Sequence, residues 1–107
     1  MADEYRLVYV TVGSKVEAMS IADALIEERL AACANIIDGV TSVYRWEGAV
    51  QHDQEVVLIA KTGASCVEAV IRRVKELHSY DCPCIVAISI EDGNPAFLQW
   101  ISENINQ

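Results

Sequence analysis

The sequence predicts an α+β fold built as one domain over residues 1–107, and two observations carry this prediction. The chain of 107 residues is 52% apolar, which suits a single hydrophobic core and leaves no room for a second domain. The spacing of apolar residues switches between the strand and the helix period, in the order strand, helix, strand, strand, helix, strand, helix. This order is the ferredoxin-like βαββαβ pattern, two split βαβ units in one antiparallel sheet, with an extra C-terminal helix.

The first unit opens with a strand and a helix. Residues 5–12 are dense in Val, Leu, Tyr and Thr, which favours a strand. Ser14 and Glu17 have the spacing of a capping box, in which the serine accepts from a free amide and the glutamate bonds the amide of the cap residue. An apolar stripe predicts the buried face of the helix that follows: Ala18, Ile21, Ala22 and Leu25.

The middle of the chain predicts an unusually long hairpin. Residues 33–47 have an extended pattern with Gly39 as a bulge or bend, Gly48 marks a turn, and residues 50–62 return as the third strand. Strands of about 13 to 15 residues extend some 45 Å. The preceding helix, at about 16 residues, covers only about 24 Å. We therefore expect the hairpin to project beyond its own domain.

The second unit and the last helix have their own start signals. Ser65 and Glu68 repeat the capping-box spacing, and residues 83–91 form the predicted fourth strand. Asn94 followed by Pro95 predicts a cap and a first helical position. The apolar residues of these two helices are Val67, Val70, Ile71 and Val74, then Phe97, Leu98, Trp100 and Ile101.

The predicted arrangement favours self-association. Helices would cover one face of the sheet and leave Ile36, Val57 and Ile59 on the other without cover. The projecting hairpin adds further apolar residues, namely Val40, Val43, Tyr44, Trp46 and Val50. Uncovered strands of this kind favour a closed homo-oligomer, with a small ring of subunits as the economical arrangement. The alternative is that Gly39 bends the hairpin back over the sheet.

Charge and hydropathy exclude several classes of partner. The chain has sixteen acidic and eight basic residues, and the basic residues are dispersed along the sequence. This argues against a nucleic-acid partner, because phosphate binding needs a concentrated positive patch. No segment has the roughly 20 apolar residues of a membrane span, so we expect no membrane partner. Residues 1–4 lack the basic-then-apolar order of a signal peptide. A cytoplasmic protein with free thiols is therefore predicted.

Two of the four cysteines stand one residue apart. Cys82 and Cys84 flank Pro83 and lack the two-residue spacing of zinc knuckles and thioredoxin-like motifs. Buried small hydrophobic residues are favoured over metal ligands at these two positions.

Cys33 and His78 are the candidate metal ligands. A thiolate and an imidazole suit Cu(I), Cu(II) or Zn(II), with Tyr80 and Glu55 as weaker partners. In a ferredoxin-like subunit Cys33 and His78 lie at opposite ends of the sheet, so only a neighbouring subunit could bring them together. Burial is as strongly favoured as ligation for Cys33, and a hydrogen-bonded position at a helix end is favoured for His78. A cysteine hydrolase needs its nucleophile and its base in hydrogen-bond contact, and the same separation prevents this for Cys33 and His78 within one chain. The chain is therefore not expected to be an enzyme.

Several motifs in order resemble those of the CutA family, the divalent-cation tolerance proteins. They are Glu28-Arg29-Leu30-Ala31-Ala32-Cys33-Ala34-Asn35, Ser42-Val43-Tyr44-Arg45-Trp46-Glu47-Gly48, Glu55 with Lys61-Thr62, and Leu77-His78-Ser79-Tyr80 with Pro83. The resemblance extends to Leu98-Gln99-Trp100 and implies a homotrimer with an architecture like that of the PII signalling proteins. It also implies binding of copper and other divalent ions. Some bacterial members place copper ligands where this chain has Val10 and Leu77, so His78 alone remains of that set.

Two functions from different classes follow from this resemblance and these residues. In the first, the trimer binds copper or another divalent metal ion through His78 and Cys33 and serves metal-ion tolerance or response. In the second, a PII-like trimer holds a small anionic metabolite in its intersubunit clefts, lined by Glu55, Lys61, Tyr80, Trp46 and Trp100. Trp46 is also favoured as interface packing, and Lys61 as a solvated strand-end residue. A stable scaffold for another protein is the third alternative.

Overall fold

The computed structural model of the protein describes residues 4–106. Residues 1–3, on which the prediction about a signal peptide partly rests, lie outside this range. The elements are β1 (Tyr5–Val12), α1 (Lys15–Glu27), β2 (Cys33–Trp46), β3 (Ala49–Gly63), a 3₁₀ turn (Ala64–Cys66), α2 (Val67–Leu77), β4 (Ile85–Ile90) and α3 (Pro95–Glu103). None of these helices is long and apolar enough to cross a membrane.

The four strands form one antiparallel sheet in the order β2-β3-β1-β4. All three helices contribute to the hydrophobic core on one face of this sheet. Fully buried core residues include Val8 and Val10 of β1, Leu25 of α1, Leu58 of β3 and Val70 of α2. The predicted α+β class and order of elements are confirmed. We call the opposite, helix-free side of the sheet the open face.

The predicted cap residues of α1 and α3 are confirmed, whereas the predicted role of Glu17 and the cap of α2 are wrong. Ser14 Oγ accepts from the Glu17 amide at 3.2 Å, and Asn94 Oδ1 accepts from the Ala96 amide at 3.1 Å. The Glu17 carboxylate, however, accepts from the amide and hydroxyl of Ser79 at 2.7 and 2.9 Å, instead of bonding the cap of its own helix. The second capping box is wrong, because the chain enters α2 through the 3₁₀ turn that contains Ser65.

The hairpin projects from the domain as predicted. β2 and β3 remain paired as far as Trp46 and Ala49, and the long axis of the molecule measures 47 Å against 25 and 22 Å for the other two. The strands join through Glu47 and Gly48, both at positive φ, which is the geometry of a tight hairpin turn. The alternative, in which Gly39 folds the hairpin back over the sheet, is therefore wrong.

Gly39 forms the predicted bulge. Asp38 and Gly39 lie between two successive pairs, Ile37 with Val57 and Val40 with Glu55, where β3 supplies only Val56. Gly39 has a φ of +74°, the left-handed conformation that glycine adopts without steric cost. The extra residue exchanges the two faces of β2 for all positions beyond it.

One predicted face assignment on β2 is wrong. Ile36 pairs with Leu58 and packs against the helix-covered core. Its neighbour Ile37 instead lies on the open face, where it is 48% exposed. Val57 and Ile59 alternate with the core residues of β3 and lie on the open face as predicted. Val57 is only 4% exposed, however, so the expectation that it lacks cover is wrong.

Candidate functional site

An open cavity of about 640 Å³ lies where the hairpin leaves the domain. Its wall combines Thr11 at the end of β1, the hairpin residues Ser42, Tyr44, Trp46 and Glu55, and the loop residues 79–82 and 84. By strand alternation Thr11 and Glu55 belong to the open face. The cavity is therefore built on the open face, between the hairpin and the loop that connects α2 to β4.

The Gly39 bulge explains why three hairpin residues line this cavity. Before the bulge the odd-numbered residues of β2 lie on the open face, and after it the even-numbered ones do. Ser42, Tyr44 and Trp46 thereby share a face with Glu55. The Tyr44 hydroxyl donates to the Asp53 carboxylate, and this hydrogen bond is the main reason that the pKa of Tyr44 is raised.

Tyr80 joins the loop to the hairpin. Its hydroxyl donates to Glu55 Oε2 at 2.9 Å. Burial, reinforced by this hydrogen bond to a carboxylate, raises the pKa of Tyr80 to about 12. The phenol therefore keeps its proton at neutral pH and remains a donor to Glu55, which holds that carboxylate at the cavity wall.

His78 is buried beneath the loop. Its Nε2 lies 2.8 Å from the Thr11 carbonyl oxygen, and its Nδ1 accepts from the Tyr80 amide at 3.1 Å. These two partners place the ring proton on Nε2. The ring also contacts that of Tyr80, with 4.7 Å between centroids, and Glu17 Oε2 lies 3.6 Å from Nδ1. In this conformation His78 anchors the loop, and neither nitrogen presents a lone pair to the cavity.

Cys33 lies at the far end of the open face. It is half-buried and pairs in register with Lys61, whereas His78 bonds Thr11, which pairs with Val57. Lys61 and Val57 are four residues apart on β3, which corresponds to about 13 Å along the strand. Cys33 and His78 do not meet within one chain, as the topology predicted.

The structure brings three of the five predicted cleft residues together. Glu55, Tyr80 and Trp46 line the cavity, and the other two lie elsewhere. Lys61 donates to the Asn35 side chain beside Cys33. Trp100 is on α3, where it stacks with Phe97 at 5.6 Å between ring centroids.

The expectation that Cys82 and Cys84 are buried is wrong. Both are exposed free thiols on the cavity wall, together with the carboxylate of Asp81. β4 begins at Ile85 and not at Pro83, so Cys84 belongs to the loop together with Cys82, which precedes the strand. The run Asp81-Cys82-Pro83, which begins four residues after the last residue of α2, is a turn composition that could have indicated this.

The cavity is negatively charged. Glu55 and Asp81 contribute two carboxylates, and none of the described residues that line it is Lys, Arg or His. A concave surface with one sign of charge concentrates ions of the opposite sign. Within residues 4–106 of one chain, no group of three or more His, Cys, Asp and Glu residues is arranged to hold a metal ion. A single chain therefore offers an attractive field for cations without a preformed ligand cage.

The fold and the cavity together define a ferredoxin-like α+β domain with a projecting hairpin and an acidic cavity at its base. The family model of the CutA1 divalent ion tolerance protein matches residues 6–104. The chain belongs to this family.

Individual relatives agree with this assignment. The divalent-cation tolerance protein CutA of Thermus thermophilus is 50% identical over 92% of this chain and 95% of its own length. A solved structure of the divalent cation tolerance protein from Thermus thermophilus superposes with a TM-score of 0.93 at 48% identity, covering 95% of this chain and 99% of that one. The chloroplastic CutA 1 protein of Oryza sativa is 44% identical over 94% of this chain, which spans only 57% of that protein.

Proposed function

We propose that the protein is a trimeric cation-binding protein of metal-ion tolerance or response, that its ligand is copper or another divalent metal ion, and that it is not an enzyme. The observation that carries this proposal is the acidic cavity on the open face. Its two carboxylates, without a cation among its described lining residues, favour a positively charged ligand. The name "divalent-cation tolerance protein" of the Thermus thermophilus relative supports the same ligand class.

The trimer explains the apolar residues that a single chain leaves exposed. Ile37, Val86 and Ile88 on the sheet, and Val43 and Val50 on the hairpin, are exposed large hydrophobic residues. Their area suits burial against identical subunits in a closed ring. In such a ring the projecting hairpin of one subunit reaches its neighbours, and the cavity at its base becomes part of an intersubunit cleft, as in a PII-like architecture.

His78 and Cys33 can act as a ligand pair only in the trimer. These residues would come from two different subunits, because one chain keeps them at opposite ends of the sheet. His78 would have to exchange its bonds to Thr11 and Tyr80 for a metal bond. Glu55 and Asp81 need no such exchange of backbone bonds, so we place the first cation contacts on these carboxylates.

The cytoplasm is the proposed location. All four cysteines are free thiols in the structure, and such thiols persist in a reducing compartment. The metabolite alternative finds less support, because Lys61, the cation proposed to hold an anionic ligand, does not line the cavity.

Calorimetric titration of the reduced protein with Zn²⁺ and Cu²⁺ tests this proposal. We expect saturable binding at a whole number of ions per subunit, and loss of that binding in Glu55→Gln, which keeps the shape of the side chain and removes its charge. Glu68→Gln is the matched control, because Glu68 is an acidic residue of α2 outside the cavity. His78→Ala and Cys33→Ala report on the intersubunit pair.

Two results would contradict the proposal. One is binding no tighter than scattered surface carboxylates give. The other is an affinity that Glu55→Gln and Glu68→Gln leave equally unchanged, since the cavity would then have no part in binding.

A further inference from the structure

We infer that Cys82 and Cys84 form a two-thiolate clamp for a soft monovalent cation, Cu(I), at the rim of the acidic cavity. The two thiols are free, exposed and part of the same cavity wall. They are absent from the ligand pair proposed above. This inference rests on the proposed function for the location of the site, and it assigns that site a second class of ligand.

The loop places the two thiols within reach of one ion. A single residue separates them, so their Cα atoms are at most about 7 Å apart. Cys82 and Cys84 are both among the residues that line the one cavity. Two exposed thiols at this separation on one cavity wall can bridge a single ion.

The loop also restricts how far the thiols can move apart. Pro83 has a fixed φ and limits the backbone of the residue before it, Cys82. On the other side, the Cys84 carbonyl accepts from the Thr11 amide at 3.4 Å, which attaches the segment to the end of β1. Tyr80 and His78 fix the preceding part of the loop. The clamp is thus ordered before the ion arrives, which lowers the entropic cost of binding.

The ligand chemistry selects the ion. Thiolates are soft ligands that favour Cu(I) over the hard cations taken by carboxylates. Cu(I) is stable with two ligands in a near-linear arrangement, whereas a structural Zn²⁺ site requires four. Within the described residues of one chain no group of three or more metal-ligating side chains includes these thiols, so a structural Zn²⁺ site would be incomplete here, whereas two thiols suffice for Cu(I).

Binding requires no redox partner. Each thiol loses its proton to solvent as its sulfur bonds the ion, and the copper enters and remains in the monovalent state. The carboxylates of Glu55 and Asp81 line the same wall and raise the local concentration of cations at the clamp. The acidic cavity therefore attracts the ion, and the thiols retain it.

Anaerobic titration of the full-length protein with Cu(I), in competition with a chromogenic Cu(I) chelator, tests the clamp. We expect one Cu(I) per subunit and loss of that binding in Cys82→Ser and in Cys84→Ser. Cys66→Ser is the matched control, because its buried thiol lies outside the cavity and the serine hydroxyl keeps the hydrogen bond to the Asn106 carbonyl oxygen, so this variant should bind Cu(I) as the native protein does. Cu(I) binding that survives in both loop variants, or that is lost equally in Cys66→Ser, would overturn the inference.

A second measurement uses the native protein and avoids any effect of substitution on folding. Alkylation followed by mass spectrometry should label Cys82 and Cys84 in the metal-free protein and leave both unlabelled after one equivalent of Cu(I). Equal labelling with and without Cu(I) would overturn the clamp.

The Glu55→Gln variant distinguishes failure of the proposed function from failure of the Cu(I) clamp. Glu55→Gln should lose Zn²⁺ binding and keep the Cu(I) complex, so unchanged Zn²⁺ binding in this variant contradicts the proposed function alone. Loss of Cu(I) in Glu55→Gln with both thiols still reactive towards alkylation would overturn the clamp, since the carboxylate would then be the ligand.

Discussion

The two halves of the β2–β3 hairpin differ in what stabilises them. In the inner half, Leu58 is fully buried beneath the helices. In the outer half, beyond the Gly39 bulge, Val43 is 61% exposed and Trp46 56% exposed. Both halves belong to the same two continuous strands. The core of its own chain therefore stabilises the inner half, whereas the outer half leaves apolar residues exposed in a single chain, and another copy would bury them in the proposed trimer.

Leu58→Ala should produce the largest loss in the free energy of unfolding, because the core of the chain stabilises the inner half of the hairpin. Removing a fully buried leucine side chain costs about 2–5 kcal/mol in the free energy of unfolding, from lost transfer free energy and the cavity left behind. Guanidinium denaturation measures this loss. Met19→Ala, at a 46% exposed position on α1, is the control and should change the free energy of unfolding by less than about 0.5 kcal/mol. Equal losses in both variants would place the core elsewhere.

Substitution of Gly39 at the bulge should affect both the stability of the protein and the positions of the cavity residues. Gly39 and Gly48 both have positive φ, and an added Cβ would meet no atom within 4 Å at either position. Gly39→Ala and Gly48→Ala should therefore each cost about 1–2 kcal/mol of backbone strain, measured by denaturation. Only Gly39→Ala should also weaken Zn²⁺ binding, because the bulge sets the face of Ser42, Tyr44 and Trp46. An equal change of Zn²⁺ affinity in Gly48→Ala would contradict this role of the bulge.

The hydrogen bond between Tyr80 of the loop and Glu55 of the hairpin should have the smallest effect on stability, and its loss should be seen only at high pH. The pKa of Tyr80 is about 12 in the folded protein, against the ordinary tyrosine value of 10.0. A raised pKa means that the neutral phenol is favoured by folding. Its stabilising contribution is complete below pH 10 and is lost as the pH rises from 10 to 12. Ultraviolet titration of phenolate absorbance should show a late-ionising tyrosine that Tyr80→Phe removes, and an unchanged titration would contradict the Tyr80–Glu55 contact.

The sequence was sufficient where local chemistry decides the structure. The order of elements follows from hydrophobic periodicity, and the starts of α1 and α3 follow from Ser14 and from Asn94 with Pro95. The length of the hairpin followed from its residue count, and the bulge from Gly39. Each of these depends on residues that are neighbours in the chain.

The sequence was insufficient where distant segments meet. The face of Ile36 depends on which residues of β2 the helices cover, and Ser65 failed as a cap because a 3₁₀ turn precedes α2. The cavity exists because the α2–β4 loop lies beside the hairpin, a contact made by Tyr80 and Glu55 across 25 positions of sequence. The exposure of Cys82 and Cys84 follows from the same loop, whereas sequence periodicity placed Cys84 in the fourth strand.

Light scattering of the native protein at micromolar concentration shows whether other copies of the chain cover the outer hairpin. We expect a mass of three subunits of 11.8 kDa each, and dissociation when Val43→Glu and Val50→Glu are combined on the hairpin. Val16→Glu, at an exposed valine of α1, should leave the mass unchanged. A native mass of 11.8 kDa would contradict the account, because the outer hairpin would then be stable without a partner.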